Sequence, residues 1–380
     1  MNLHILGPND PALDALSQYL ERHPEYEMHL TIVAWENYQN ALFDSLQAIE
    51  SPYQAVFIPG HVWLAELVVE GKLAPLPVDK ISSEIYTLYQ PDDILPKIRE
   101  ECQFDKEPYL IPYFTDGHLL FYRNDIMSIE EETNSIPTIA PQQFEQLVHK
   151  VHHPPQIYGL ALKAAPSEIF LDWLPFLWAF GGDVLDDQNK PVIYSKESLL
   201  ALESYCNLRQ YCPQDVQGYG NFEIAAALKN QIVCLAPTWG GQAASIFANP
   251  SSEYPYSTAL YPIPWNATWG IGIPNNQSST QKIRVTEKLY QINRSEMDQK
   301  VLEIAGSPVR RSTYSAANFE KFFWLKAQGE MLQRCRTLPA IPQLGKILGV
   351  LYAAVYTAFC GEKSSRDVLA EAQTALESIL

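Results

Sequence analysis

Residues 227–241 read "ALKNQIVCLAPTWGG": the last turns of a helix, a short apolar strand, a tryptophan and two glycines. The helix is expected to start at Asn221 as its N-cap and to run through "FEIAAALKN" into the strand "IVCLA". A helix that feeds a buried strand within a few residues is the repeating unit of an α/β protein. Trp239 stands where that strand ends, and Gly240 and Gly241 strip side chains from the backbone beside it. Such a ring either closes a core or faces something the protein binds, and glycine beside it would let a ligand approach the backbone.

The first 75 residues repeat the unit. "HIL" (4–6) is a short strand, and Asp10-Pro11 supplies an N-cap and a first-turn proline. Leu13, Leu16 and Leu20 follow at helical spacing, and His23-Pro24 ends the helix. "MHLTIVAW" (28–35) leads into a helix bearing Ala41, Leu42, Leu46 and Ile49. "QAVFIPG" (54–60) precedes a helix marked by Trp63, Leu64, Leu67 and Val68 and closed at Gly71. Strand–helix alternation of this length predicts a parallel sheet with helices on its faces. Ligands collect outside the carboxyl ends of such strands. Those ends carry Asn9, Asp10, Trp35, Asn37 and His61, and Asn9, Asp10 and Asn37 serve either a ligand or a helix N-terminus.

Further on, "DKEPYLIPYFTDGHLLFYRNDI" predicts two extended segments meeting around Pro112, with a turn or kink at Asp116-Gly117. Gln142 to Val151 reads as a helix and "YGLAL" (158–162) as a strand. Ser167 is the expected N-cap of a helix whose apolar stripe is Phe170, Leu174, Leu177 and Trp178, stopped at Gly181-Gly182. "TWGIGIPNN" (268–276) is another strand, two helical stretches follow, and the segment from Leu344 to Leu380 is helical twice over, broken at Gly361.

With 380 residues the chain exceeds one average domain, so two lobes are expected. Charged residues make up only 19% while aromatics reach 12%, a balance that suits a sizeable aromatic-lined surface. A net charge of −17 repels phosphate backbones and disfavours nucleic acid. Six scattered cysteines form no C-x-x-C pair, which removes zinc knuckles and thioredoxin-like chemistry and suits a reducing compartment mildly better. No apolar run is long enough to span a bilayer, and "MNLHILG" enters a strand with no basic-then-apolar leader.

Catalytic signatures are missing: there is no G-x-S-x-G, H-E-x-x-H or G-x-x-x-x-G-K-[ST]. "GGDVLDD" lacks metal-ligand spacing and reads as a solvated helix end, and His152-His153 before two prolines reads as a surface turn. No cofactor, metal or catalytic residue is therefore expected. What stands out is polar-aromatic: Trp239, Trp265, Trp269 and Tyr113 sit at strand ends or in turns, not on helical stripes. A sugar ring has an apolar C–H face and a rim of hydroxyls, and it pairs with an aromatic plane edged by hydrogen-bonding groups.

The order of these pieces resembles the family 1 extracellular solute-binding proteins, the maltose-binding-protein-like receptors of ABC importers. "IPYFTDGHLLFYRND" (111–125) looks like the family's P-Y-x-x-D-x-x-x-L-x-Y-R-x-D segment, and "LPFLWAFGGDVLD" (174–186) like its helix ending in Gly-Gly. "ALKNQIVCLAPTWGG" is similar to its G-x-A-A-M-x-x-x-G-x-W strand. "WGIGIPNN" (269–276) and "AGSPVRRSTY" (305–314) are similar to its later glycine strand and G-x-P-x-R-x-S turn. The chain departs from the family pattern at Lys229-Asn230, at Val233-Cys234, over 280–299, and in the missing leader.

The resemblance implies an α/β, two-lobed periplasmic-binding-protein fold of type II with hinge strands and a central cleft. The lobes would be 1–112 plus 270–306 and 113–269 plus 307–380, hinged near 110–115, 268–271 and 306–309. Trp239 falls where relatives stack a sugar, with Gly240 and Gly241 as clearance. Asn9, Asp10, Trp35 and His61 fall on the first lobe's cleft loops, Tyr113 and Asp116 near the crossing, and Arg310 in the turn after Pro308. Trp173 and Trp269 are further candidates, and Trp178 is core. The implied function is capture of a sugar or oligosaccharide between the lobes for an ABC importer, without catalysis. The implied partners are a small-molecule ligand and the importer's permease subunits, with the receptor itself a monomer. The protein would be periplasmic, or extracellular and lipid-anchored, if a leader has been removed. It would be cytoplasmic if Met1 is the native start, and a cytosolic ligand sensor on the same fold is then the alternative. An enzyme on this scaffold would need a nucleophilic cysteine, for which Cys102 and Cys234 are the candidates, and both read as structural.

Overall fold

The structure, a computed structural model, describes residues 2–48, 51–129, 135–247 and 255–380. The chain divides into two compact units, Met1–Asp116 with Ala267–Lys321 and Ala340–Pro342, and Gly117–Asn266 with Phe322–Pro339 and Gln343–Leu380. Among the described residues the strands are β1 (Leu3–Pro8), β2 (Met28–Val33), β3 (Ala55–Pro59), β4 (Leu73–Ala74), β5 (Gln103–Phe104), β6 (Glu107–Pro108), β7 (Leu110–Asp116), β8 (His118–Arg123), β9 (Tyr158–Leu160), β10 (Val233–Trp239), β11 (Tyr256–Ala259) and β12 (Ala267–Pro274).

The first unit is a sheet ordered β2-β1-β3-β12-β4, with β7 also paired to β12. The sequence expectation of parallel strands holds for β1, β2 and β3, and β12 then runs antiparallel to β3, β4 and β7. The connecting helices form for the reasons the sequence suggested. Asp10 accepts the Ala12 N–H at 2.8 Å, and Leu13, Leu16 and Leu20 are all buried. The helix Gly60–Val69 is closed at Gly71, whose φ of +68° is the left-handed conformation that glycine takes without penalty. Leu3, Ile5, Val56, Phe57, Ile58 and Ile271 fill the sheet's core, and Tyr38 donates its hydroxyl to the Phe57 carbonyl at 2.6 Å.

The second unit holds a sheet ordered β11-β8-β10-β9, in which β8 is antiparallel to β10 and β11, and β9 is parallel to β10. The helices Ile169–Ala179, Lys196–Asn207, Leu344–Phe359 and Ser365–Ile379 supply most of its helical mass. Edge-to-face rings lock them together, Phe176 on Tyr205 at 5.1 Å and Phe170 on Tyr352 at 5.8 Å.

Several expectations need correction. The two extended segments meet not around Pro112 but at Gly117, where the sequence placed a turn or kink, because β7 stays paired with β12 through Asp116. A Cβ on Gly117 would strike the Trp265 carbonyl and Met331, so only glycine fits at that break. The same pairing moves the first unit's boundary from 112 to 116 and its return from 270 to 267. Residues 307–321 belong to the first unit, where Ser307 and Thr115 exchange backbone hydrogen bonds, so there is no crossing near 306–309. The helix expected from Ser167 begins at Ile169 after Glu168, and Gly220 rather than Asn221 is the N-cap of the helix Asn221–Lys229. Ala41, Leu42 and Leu46 lie on the helix Trp35–Gln47, and Ile49 lies outside the described residues.

Candidate functional site

In the second unit the antiparallel register sets Trp239, the last residue of β10, opposite His118, the first of β8. Trp265 joins them through a backbone bridge that holds it beside Arg336. The three rings pack edge to face: His118 to Trp239 at 4.7 Å, Trp239 to Trp265 at 4.9 Å and His118 to Trp265 at 5.6 Å. His118 and Trp265 are buried, whereas Trp239 is partly exposed. Over the Trp239 ring, 4.6 Å from its centroid, sits the fully buried Lys163 ammonium, which also lies 3.5 Å from Glu168. A desolvated cation on an indole face is the stronger form of this contact.

Asp172 organises the polar side of this cluster. Its Oδ2 accepts the Lys163 backbone N–H at 3.1 Å and the Tyr205 hydroxyl at 2.8 Å, and its Oδ1 lies 3.4 Å from His118 Nδ1. Burial pushes the Asp172 carboxyl up to about 7, against the pull of the Tyr205 hydroxyl and the Lys163 charge. Burial, aided by Lys163, holds the His118 imidazole well below its ordinary value, so the ring is neutral. The arrangement offers an aromatic plane with a cation behind it and a neutral imidazole at its edge, a surface suited to an uncharged, hydroxyl-rich molecule.

The first unit carries a second aromatic face at the carboxyl ends of its parallel strands. Pro8 of β1 is opposite Val33 of β2, and Trp269 of β12 is opposite Pro59 of β3 and Phe114 of β7. Asn9, Asp10, Trp35, His61, Asp116 and Trp269 are thereby gathered at one end of the sheet. Trp269 stacks on Phe114 at 5.8 Å with 10° between the planes, and Trp35 leans on Trp269 at 5.8 Å. Trp35 is 50% exposed, the most open of these rings. Burial pushes the His61 imidazole down to about 3.

Three candidates belong to the fold. Tyr113 points into the first unit's core, edge-on to Phe57 at 5.1 Å with its hydroxyl 3.6 Å from Met297 Sδ. Arg310 is buried and spends its guanidinium on the Asn293 carbonyl at 2.7 Å, the Gln90 carbonyl at 3.1 Å and the face of Tyr89. Trp173 is fully buried among helices of the second unit. A Cβ on Gly240 would run into the Gln328 amide, so the missing side chain gives room to the helix Leu325–Arg334. Gly241 is buried beside it. His118, Lys163 and Asp172 were missed. Their signal was a lone polar residue in an apolar setting, as in "YGLALKAA" and "IFLDWLPF".

Among the described residues no group of three or more His, Cys, Asp or Glu is placed to hold a metal, and no helix is long and apolar enough to cross a membrane. Cys102 and Cys234 are buried, and burial pushes both thiols up, away from the reactive thiolate.

The profile of a family described as bacterial extracellular solute-binding protein matches residues 8–283. A mannitol-binding protein of Pseudomonas aeruginosa is 24% identical over 326 residues, 75% of this chain and 72% of that protein. Among solved structures, an ABC transporter solute-binding protein of Agrobacterium radiobacter in complex with ribitol superposes with a TM-score of 0.86 at 20% identity, covering 100% of this chain and 99% of the other. The maltose-bound MalE3 of T. maritima gives 0.85 at 19% identity, covering 100% of both. Sequence motifs, two α/β units and these matches agree: the chain belongs to the bacterial extracellular solute-binding protein family.

Proposed function

We propose that this protein is a receptor for a sugar or polyol, working outside the cytoplasmic membrane and handing its ligand to an ABC importer. The observation that carries the reading is the partly exposed Trp239, locked by His118 and Trp265 and backed by the Lys163 ammonium. A rigid ring loses little freedom on binding, and its polar rim supplies partners for hydroxyls. The mannitol, ribitol and maltose named for its relatives support the same ligand class. Trp35 and Trp269, with Asn9, Asp10, His61 and Asp116 at the same end of the first unit's sheet, are proposed as further ligand-contacting residues.

The direct test is a thermal-shift panel of linear polyols, monosaccharides and maltooligosaccharides. A ligand present at 100 times its Kd stabilises the protein by about 2.7 kcal/mol, an easily read rise in Tm. If no carbohydrate or polyol moves the transition while another solute class does, the reading is wrong.

A further inference from the structure

We propose that Asp172 is a positioning residue whose Oδ1 keeps the ring proton of His118 on Nδ1, so that His118 Nε2 serves as hydrogen-bond acceptor for a ligand hydroxyl beside Trp239. The inference rests on the carbohydrate reading above.

The geometry divides the work of the carboxyl between its two oxygens. Oδ2 already accepts from the Lys163 N–H and the Tyr205 hydroxyl, while Oδ1 lies 3.4 Å from His118 Nδ1, and neither of these two atoms has a hydrogen-bond partner elsewhere among the described residues. An ionised Oδ1 can accept but not donate, so the neutral ring must turn an N–H towards it. Nε2 is then left with a lone pair. It is buried, it has no hydrogen-bond partner among the described residues and, unlike Nδ1, it has no carboxylate oxygen recorded within 4 Å of it, and its ring lies against Trp239. Buried polar atoms in native proteins are nearly always paired, and a hydroxyl on the bound molecule would complete this one.

The same division gives the cluster two settings. A proton taken up by Asp172 lands on Oδ1, because Oδ2 is committed to its two donors. The proton enters at Nε2 and the Nδ1 proton crosses to Oδ1, whose new O–H donates back to Nδ1, so Nε2 changes from acceptor to donor while His118 stays neutral. Burial places the Asp172 carboxyl at about 7, so the two settings exchange near neutral pH. The titratable groups that act on Asp172 are His118 of β8, Lys163 after β9, Glu168 before the helix Ile169–Ala179, Tyr205 of the helix Lys196–Asn207, Cys212 and Tyr261. Burial pushes the Tyr205, Tyr261 and Cys212 hydrogens well out of this range, whereas the Asp172 carboxyl lies within it and beside the His118 ring.

The test uses the whole protein labelled with 15N-histidine, His118 being assigned by its loss in His118→Gln. At pH 8 the ring should show protonated Nδ1. In Asp172→Asn the amide oxygen can keep the Lys163 and Tyr205 bonds while its NH2 donates to Nδ1, so the proton should sit on Nε2 at every pH. Calorimetric titration with mannitol and maltose follows. Wild-type affinity for the binding probe should change several-fold between pH 6 and pH 8, Asp172→Asn should be flat, and His118→Phe should lose about tenfold at pH 8. A wild-type ring carrying its proton on Nε2 at pH 8 overturns the role of Asp172, and unchanged affinity in His118→Phe overturns the ligand contact. If neither probe nor any other carbohydrate binds wild type, the carbohydrate reading falls and the ligand contact with it, while the tautomer still judges Asp172.

Discussion

Replacing Trp239 by alanine should cost both affinity and stability, and the two losses separate a platform from a core ring. The ligand would lose one indole face, roughly 70 Å² of apolar surface, which at about 25 cal/mol/Å² is about 2 kcal/mol, or roughly thirtyfold in Kd. The fold loses a desolvated cation–π contact with Lys163, about 2 kcal/mol, and two edge-to-face contacts of about 0.5–1.5 kcal/mol each. Partial relaxation brings the net to about 3 kcal/mol, which in a unit of this size lowers Tm by about 6–12 °C. Trp239→Phe keeps a ring under the Lys163 ammonium and should recover most of the stability but only part of the affinity. Calorimetric titration of the best panel ligand, with scanning calorimetry of each variant, measures both. An affinity within threefold of wild type in Trp239→Ala, beside the full loss of stability, would show that the ring serves the core and would refute the platform.

Further expectations rest on other parts of the molecule. Trp35→Ala removes a ring that is half exposed, so Tm should move by less than about 2 °C while ligand affinity falls, read by the same two calorimetric experiments. Gly240→Ala drives a Cβ into the Gln328 amide and should destabilise by about 1–3 kcal/mol; Gln328→Ala opens that space, so the double variant in urea unfolding should be more stable than the two single losses predict. Asp298 is buried in the first unit, accepting from the Val309 and Arg310 N–H groups and the Thr313 hydroxyl, and burial raises its carboxyl from 3.8 to about 6. The folded state therefore binds the extra proton between those values. Wild-type stability relative to Asp298→Asn should fall by up to about 1.4 kcal/mol per pH unit as pH rises from 4 to 6, and urea titrations at several pH values would show the opposite slope if the reasoning is wrong.

Much of the fold could be read from local chemistry. Asp10, Gly71 and Gly361 punctuate helices through interactions within a few residues, and those positions came out where expected. The strands of the first three units of alternation were legible for the same reason. What was not legible depends on partners far away in sequence. The turn at Asp116-Gly117 was legible, but that the strand runs unbroken past Pro112 up to it was not, because β12, more than 150 residues later, keeps pairing through Asp116. Arg310 was expected as a ligand contact in the turn after Pro308, yet it is buried with its guanidinium on the Gln90 and Asn293 carbonyls, both distant in sequence. Trp173 sits on a helix that, Asp172 apart, is apolar and almost wholly buried, so periodicity could not separate a core face from any other. Conversely, Lys163 and Asp172 carry no motif spacing, and their signal is a charged residue type inside an apolar stretch of sequence whose polar partners lie elsewhere in the fold.

The position of β12 also fixes the order in which the molecule can be made. The second unit's main segment, residues 117–266, is an insertion of 150 residues between β7 and the strand that β3, β4 and β7 all pair with. At a synthesis rate of about 5–20 residues per second, the nascent first unit must hold β3 and β7 without their shared neighbour for roughly 8–30 s. During that interval it presents unpaired apolar edges of the kind that aggregate or recruit chaperones. The last strand to be made is thus the keystone of the first sheet to begin, and a nascent chain stalled before residue 267 cannot complete either its early half or the protein's first cooperative folding unit.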